Sequence, residues 1–276
     1  MNLVVFAEDV DSLALKNVAK LTGAHAIEQI TPRSFRLLAA QNHAELARTC
    51  AAGGLDYAWV PAGRRLKDFG LFVTDMDSTL INIECIDEIA DMQGLKAEVA
   101  AITEAAMEGE IDFRESLLRR VSLLAGLPEQ ALEEVYTHRL QLNPGAERLM
   151  KGLQRAGLST VLVSGGFTYF TARLKQRLGF DHAFANELEV IDGHLSGRIV
   201  GDIVDAAAKA THLQRIRDQL GLQAHQVIAM GDGANDIPMM NAAGFSVAFH
   251  PKPVLRELAD CCIEHSGLDG VLDLFG

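Results

Sequence analysis

Apolar and polar positions change rhythm several times along this chain. Residues 2–7 form an almost unbroken apolar run, which predicts a strand. Over residues 11–22, Leu13, Val18 and Leu21 fall on one side at helical spacing. His25 to Ile30 alternates like a strand, and Ser34 to Ala40 predicts another. Asn42 stands where it can cap a helix running to about Ala52, which Gly53-Gly54 stops. Leu55 to Val60 is a further strand ended by Pro61, and Arg64 to Asp68 is a charged linker.

A second rhythm begins at Leu71-Phe72-Val73-Thr74, an apolar run without polar alternation that suits a strand buried on both faces. After Thr79 the spacing is helical as far as about Leu140. Ile83, Ile86, Ile89 and Ala90 mark a first helix, Leu95 to Met107 a second, Phe113 to Ala125 a third and Pro128 to Tyr136 a fourth. Strands and helices then alternate. A helix opened by Asn143-Pro144-Gly145 precedes the strand Ser159–Val163, which ends in Ser164-Gly165-Gly166, and a helix follows from Phe167 to Leu178. Glu187 to Val200 predicts a hairpin turned at Asp192-Gly193, and Ala206 to Leu220 a helix. Val227 to Met230, Phe245 to Phe249 and Cys261 to Ile263 are strands, with a helix over Val254 to Ala259. This pattern predicts an α/β fold, a doubly wound parallel sheet interrupted by a helical insertion and preceded by a βαββαβ module. The corresponding divisions are 1–66 for the module, 67–80 and 142–276 for the sheet core, and 81–141 for the insertion.

Composition narrows the chemistry. Lysine and arginine number 25 against 37 acidic residues, a net charge of −12, which argues against nucleic-acid and anionic-membrane partners. An anionic ligand would need a local cation or dipole. The N-terminus lacks a basic segment of signal-peptide type, no apolar run is long enough to span a bilayer, and four cysteines show neither zinc nor disulfide spacing, so the expected compartment is the cytoplasm.

The chemistry-bearing residues stand where strands end. Asp75 and Asp77 leave the first core strand two apart, and two close carboxylates attract a proton or a hard cation such as Mg²⁺. Ser164 with the amides of Gly165 and Gly166 can cradle a phosphate. Lys209 can neutralise phosphate and a nucleophilic carboxylate, and Gly231-Asp232-Gly233-x-x-Asp236 supplies two further carboxylates. Such strand ends converge in an open α/β sheet.

These four motifs, in this order, resemble those of the haloacid dehalogenase-like phosphatases. Asp75-Met76-Asp77-Ser78-Thr79-Leu80, Glu84, Met107-Glu108-Gly109, Phe113, Arg120 and Gly231-Asp232-Gly233-Ala234-Asn235-Asp236 closely resemble the phosphoserine phosphatases within that superfamily, over roughly residues 71–272. The resemblance implies Mg²⁺-dependent hydrolysis of O-phospho-L-serine, a small-molecule substrate, as the last step of serine biosynthesis. Asp75 would be the nucleophile and Asp77 the acid and base. Mg²⁺ would lie among Asp75, the Asp77 carbonyl, Asp232 and Asp236. Ser164, Gly165 and Lys209 would hold the phosphoryl group, with Asn235 orienting its surroundings. The insertion would be a cap in which Glu84 meets the substrate ammonium, Arg120 its carboxylate, and Met107 and Phe113 wall the pocket. A phosphotransferase of the same superfamily shares this machinery, and an amino-acid-sensing role would rest on the N-terminal module. That module has the strand order of ferredoxin-like and ACT-type domains and is expected to be an appendage for stability or homodimer contact, dispensable for folding of the rest.

Overall fold

The computed structural model describes residues 1–107 and 110–275, apart from the side chain of Met107. The first six elements are β1 (Asn2–Phe6), α1 (Ser12–Leu21), β2 (Ala26–Thr31), β3 (Ser34–Leu38), α2 (Leu46–Ala52) and β4 (Asp56–Val60). They form an antiparallel sheet in the order β4-β1-β3-β2, the arrangement of a split βαβ unit. Two local readings need correction. Helix α1 buries Leu15 and Val18 while Leu13 points to solvent. Asn42 lies too far back to cap α2; Glu45 takes the cap position, and its own N–H is taken by His43 Nδ1.

The core begins with β5 (Leu71–Thr74), all four residues of which are buried. Four helices follow, α3 (Cys85–Asp91), α4 (Lys96–Met107), α5 (Phe113–Ser122) and α6 (Gln130–His138). The insertion leaves and re-enters the core side by side. Ile81 bridges Leu142, and the Asn143 amide donates to the Thr79 carbonyl at 2.7 Å and the Ile81 carbonyl at 3.1 Å. The rest of the core is α7 (Ala146–Ala156), β6 (Ser159–Phe167), α8 (Thr168–Leu178), β7 (His182–Ile191), β8 (His194–Val200), α9 (Ala206–Gln219), β9 (Val227–Gly231), α10 (Ile237–Asn241), β10 (Phe245–Phe249), α11 (Pro253–Arg256), β11 (Cys261–Ile263) and α12 (Gly270–Phe275). The β7–β8 hairpin turns at Asp192 and Gly193, both with positive φ, as a tight two-residue turn requires.

The parallel strands run β11-β10-β9-β5-β6-β7, with β8 antiparallel at the far edge. Chain order moves one way from β5 through β6 to β7 and the other way from β9 through β10 to β11. The switch point therefore lies between β5 and β9, where the crevice of a doubly wound sheet opens. Leu149, Leu153, Phe170 and Leu174 cover one face, and Leu213, Ile216 and Met239 the other. Burial on both faces explains why β5 has no polar alternation.

The N-terminal sheet is not detached. β4 pairs antiparallel with β11, joining both sheets into a single one of 11 strands. Asp56 of β4 is buried and accepts from the backbone N–H groups of Glu264, His265 and Ser266 at 2.8 to 3.2 Å. Val4 and Phe6 of β1 belong to the same apolar cluster as Phe69, Val247 and Phe275.

Candidate active site

Asp75 follows β5 directly. Its Oδ1 accepts the Met76 N–H at 2.7 Å, and the chain then closes a single turn over Met76–Leu80. Ser78 in that turn has φ +54°, a left-handed conformation that a non-glycine residue holds only when its surroundings enforce it. They do so here: the Ser78 N–H donates to the Ile83 carbonyl at 3.1 Å, and its hydroxyl bonds Glu84 Oε1 at 2.7 Å. The turn brings Asp77 back so that its Oδ1 accepts the Cys85 N–H at the start of α3.

Across the switch point, β9 delivers Asp232. A side chain at Gly231 would collide with Asp236, since a Cβ there would lie 2.3 Å from Oδ2. That absence lets Asp236 fold back and accept the N–H groups of Asp232 and Gly233 at 3.1 and 3.3 Å. Lys209, in the first turn of α9, is 1% exposed and sits between two of these carboxylates, 2.9 Å from Asp75 Oδ1 and 2.8 Å from Asp236 Oδ1. Oxygens of Asp75, Asp232 and Asp236 lie within 4.8 Å of one another. Asp77 keeps its carboxylate outside this group. Thr79 Oγ1 donates to Asp232 Oδ1 at 3.2 Å, and Lys252 Nζ lies 3.4 Å from Asp232 Oδ2.

The electrostatics follow from burial. Desolvation, reinforced by Asp236, holds the Asp75 carboxyl well above the usual carboxylate range against the pull of Lys209. Burial likewise pushes Asp232 up, with Lys252 opposing. Burial, then the charge of Glu84, raises Asp77 to about 7, with hydrogen bonding from Cys85 opposing. Desolvation alone would lower Lys209, but Asp236 and Asp75 outweigh it and keep the ammonium charged. Three crowded, dry carboxylates with one ammonium between them are a hard-oxygen donor set short of positive charge, and a divalent cation of the Mg²⁺ kind fits it.

Ser164, Gly165 and Gly166 occupy the extended end of β6 rather than a loop after it; the pairing with β7 shifts register between Val163 and Phe167, and α8 starts at Thr168. The Ser164 hydroxyl accepts the Gly166 N–H at 2.8 Å. Asn186 fixes this strand end, donating to the Gly165 carbonyl and accepting the Val204 N–H, both at 2.8 Å.

A cavity of about 730 Å³ separates the core from the inserted helices. Its core wall includes Asp75, Asp77, Ser164, Gly165, Asp232 and Asn235; its opposite wall includes Glu84, Phe113 and Arg120. A Cβ on Gly165 would come within 3.2 Å of the Phe113 ring, so the glycine leaves room for close approach of the two walls. Burial lowers Arg120 from its ordinary value, while Asp87, Glu84 and Asp77 favour its charged form. The Met107 side chain and Glu108-Gly109 lie outside the described residues. Phe167 both lines the cavity and packs in the core. A hollow of about 900 Å³ along α7, lined by Arg148, Lys151 and Arg155, holds none of these carboxylates.

Sequence reading thus names most of the cavity but misses three supports. Thr79 stands inside the recognised motif without a role until its bond to Asp232 is seen. Asn186 carries no local signal. Lys252 had one: Pro251-Lys252-Pro253 follows β10, at the same end of the sheet as the other motifs.

Comparison with known proteins is consistent with this geometry. The haloacid dehalogenase-like hydrolase family matches residues 72–241, and a domain of unknown function matches residues 3–46. A phosphoserine phosphatase of Polaromonas sp. (strain JS666) is 56% identical over 215 residues, covering 76% of this chain and 91% of that protein. The unliganded crystal structure of a probable phosphoserine phosphatase from Vibrio cholerae superposes with TM-score 0.88 at 37% identity, covering 99% of this chain and 86% of its own. A phospho-aspartyl intermediate analogue of phosphoserine phosphatase superposes with TM-score 0.70 at 43% identity, over 75% of this chain and 99% of its own. No described helix is long and apolar enough to cross a membrane.

Proposed function

The chain belongs to the haloacid dehalogenase-like hydrolases, and from that premise we propose that it hydrolyses O-phospho-L-serine to L-serine and phosphate through an aspartyl-phosphate on Asp75. The observation that carries this reading is the cavity itself. Its core wall collects the carboxylates at the switch point, and its cap wall sets Glu84 and Arg120 opposite them.

Asp75 Oδ1 is held by the Met76 N–H and Lys209, which leaves Oδ2 to attack phosphorus. As the bond from phosphorus to the serine oxygen breaks, Asp77 gives that oxygen a proton. A carboxyl raised to about 7 by burial and Glu84 keeps its proton in a substantial fraction of molecules near neutral pH, which suits it to this step. Water then attacks the phosphorus, Asp77 takes its proton, and Asp75 is regenerated as phosphate leaves. Ser164, the Gly165 amide and Lys209 hold the phosphoryl oxygens, and Asn235 orients that network. Mg²⁺, held by Asp75, Asp232, Asp236 and the Asp77 carbonyl, supplies positive charge to the phosphoryl group when bound.

Residues 81–141 serve as the cap over a core of 67–80 and 142–276. Within the cap, Glu84 takes the substrate ammonium, Arg120 takes its carboxylate as a planar fork, and Phe113 and Met107 exclude water. The phospho-aspartyl analogue and the Polaromonas relative support the phosphoserine phosphatase reading by likeness. The reading extends to serine biosynthesis in the cytoplasm and to a homodimer formed through the N-terminal module, whose β2 edge ends the sheet.

The test is phosphate release from phosphoserine, phosphothreonine, phosphohomoserine and sugar phosphates, with Mg²⁺ or a chelator, and with or without an added alcohol. Release should be Mg²⁺-dependent and fastest from phosphoserine. Preference for a sugar phosphate, or transfer of most of the phosphate to the alcohol, would overturn the assignment.

A further inference from the structure

We propose that Lys252 recruits the phosphate dianion at the mouth of the cavity and so sets how well phosphorylated molecules compete for the site. This rests on the phosphomonoester reading above and deepens it. Lys252 is delivered by a stiff segment. The chain leaves β10, turns through His250 at φ +42°, passes buried Pro251, and enters α11 at Pro253, so the backbone is restricted on both sides of the lysine. The Lys252 N–H donates to the Asp232 carbonyl at 2.9 Å, tying this segment to the Asp232 loop. The Lys252 side chain lies over the Gly233 backbone, where a Cβ would come 2.7 Å from Asn235 Oδ1 and 3.3 Å from Lys252 Nζ.

Charge decides what the ammonium does there. Among the described residues, the cavity lining carries the carboxylates of Asp75, Asp77, Glu84 and Asp232 against two cations, Arg120 and Lys252. Lys209 lies beneath, engaged by Asp75 and Asp236. In a chain of net charge −12, these two are the side-chain cations that an approaching phosphate dianion meets among the described lining residues before it reaches the groups that hold it in the site. Arg120 lies on the cap wall. Lys252 lies on the core wall beside the carboxylates, 57% exposed, and its 3.4 Å separation from Asp232 is longer than the roughly 2.7–2.9 Å of a tight charged hydrogen bond. A compact charge on a flexible stem, loosely held and half in water, can attract an anion without locking it in place.

The experiment compares wild type with Lys252→Gln, Lys252→Arg and Lys252→Glu. It uses phosphoserine and p-nitrophenyl phosphate at low and high ionic strength, inorganic phosphate as competitive inhibitor, and calorimetric Mg²⁺ titration. Lys252→Gln should lower kcat/KM by about tenfold, chiefly through KM, and raise the inhibition constant of phosphate by a similar factor. Its kcat/KM should also depend less on salt, because the screened charge is gone. Lys252→Arg should restore both constants, and Lys252→Glu should weaken them further. An unchanged phosphate inhibition constant, or a loss confined to kcat with weakened Mg²⁺ binding, would overturn the proposal in favour of a lysine that only braces Asp232. Phosphate inhibition of p-nitrophenyl phosphate cleavage decides the point even if phosphoserine proves not to be the substrate.

Discussion

Single residues in this site are set by their neighbours more than by their type. Asp75 and Asp77 stand two apart, yet Asp75 is paired with Lys209 while Asp77 faces Glu84 and a backbone N–H. Asp75→Asn keeps the volume and removes the proposed nucleophile, so turnover should fall to background while the circular dichroism spectrum is unchanged; near-wild-type activity in a freshly prepared variant would exclude a covalent route through this residue. Asp77 makes a second prediction, on stability. Its folded-state value near 7 lies above its ordinary 3.8, so the folded protein binds more protons than the unfolded chain between those values. Stability of the metal-free protein therefore falls as pH rises through that window, and the full cost is present above it. Asp77→Asn removes the buried charge. In chelator it should raise Tm more at pH 8 than at pH 5, and equal shifts at both would refute the assignment.

At the scale of elements, the proposed recognition of the substrate carboxylate depends on one inserted helix. Helix α5 is capped by Asp112, whose carboxylate accepts the Glu115 N–H at 2.8 Å, and it carries Phe113 and Arg120 to the cavity. Losing a charged pair in a water-poor site typically costs about 2–5 kcal/mol, so Arg120→Ala should reduce kcat/KM for phosphoserine at least tenfold. Cleavage of p-nitrophenyl phosphate, which has no amino-acid group, should barely change. Equal losses on the two substrates would assign Arg120 to the fold or the chemistry instead. The motif strands act differently: β5 and β9 recognise nothing themselves but place Asp75 and Asp232 at either side of the switch point.

At the scale of the molecule, the joined sheet alters what the N-terminal residues do. Removing residues 1–66 would unpair the β11 edge, take Asp56 from three backbone N–H groups and uncover the apolar cluster around Phe69 and Phe275. Exposed strand edges and apolar patches of this kind aggregate. The truncated chain is therefore expected to elute as aggregate in size-exclusion chromatography. A monodisperse, active fragment would show that the junction is dispensable. Asp56→Ala probes the same junction more gently and should cost about 2 kcal/mol or more in denaturant unfolding, as loss of a buried charged acceptor does.

The local sequence determined most of the elements and the placement of the motifs, because period and punctuation are short-range properties. The unbroken run Leu71–Thr74, the helical spacing from Ile83 to Tyr136 and the Asp192-Gly193 turn each state their own conformation. Asp75, Asp77, Ser164, Lys209 and Asp232 were legible because each stands at a strand end or in a first helical turn. Tertiary structure decided what depends on pairing between distant segments. Nothing near Leu13 tells which side of α1 meets the sheet, and nothing in β4 or β11 alone announces that they pair. The bond from Asn186 to the strand end at Gly165 and the approach of Lys252 to Asp232 link residues 21 and 20 positions apart, and burial of Asp77 beside Glu84 is what raises its carboxyl. Proximity and desolvation arise only when the chain is folded, so the sequence could name the acids but not their states of charge.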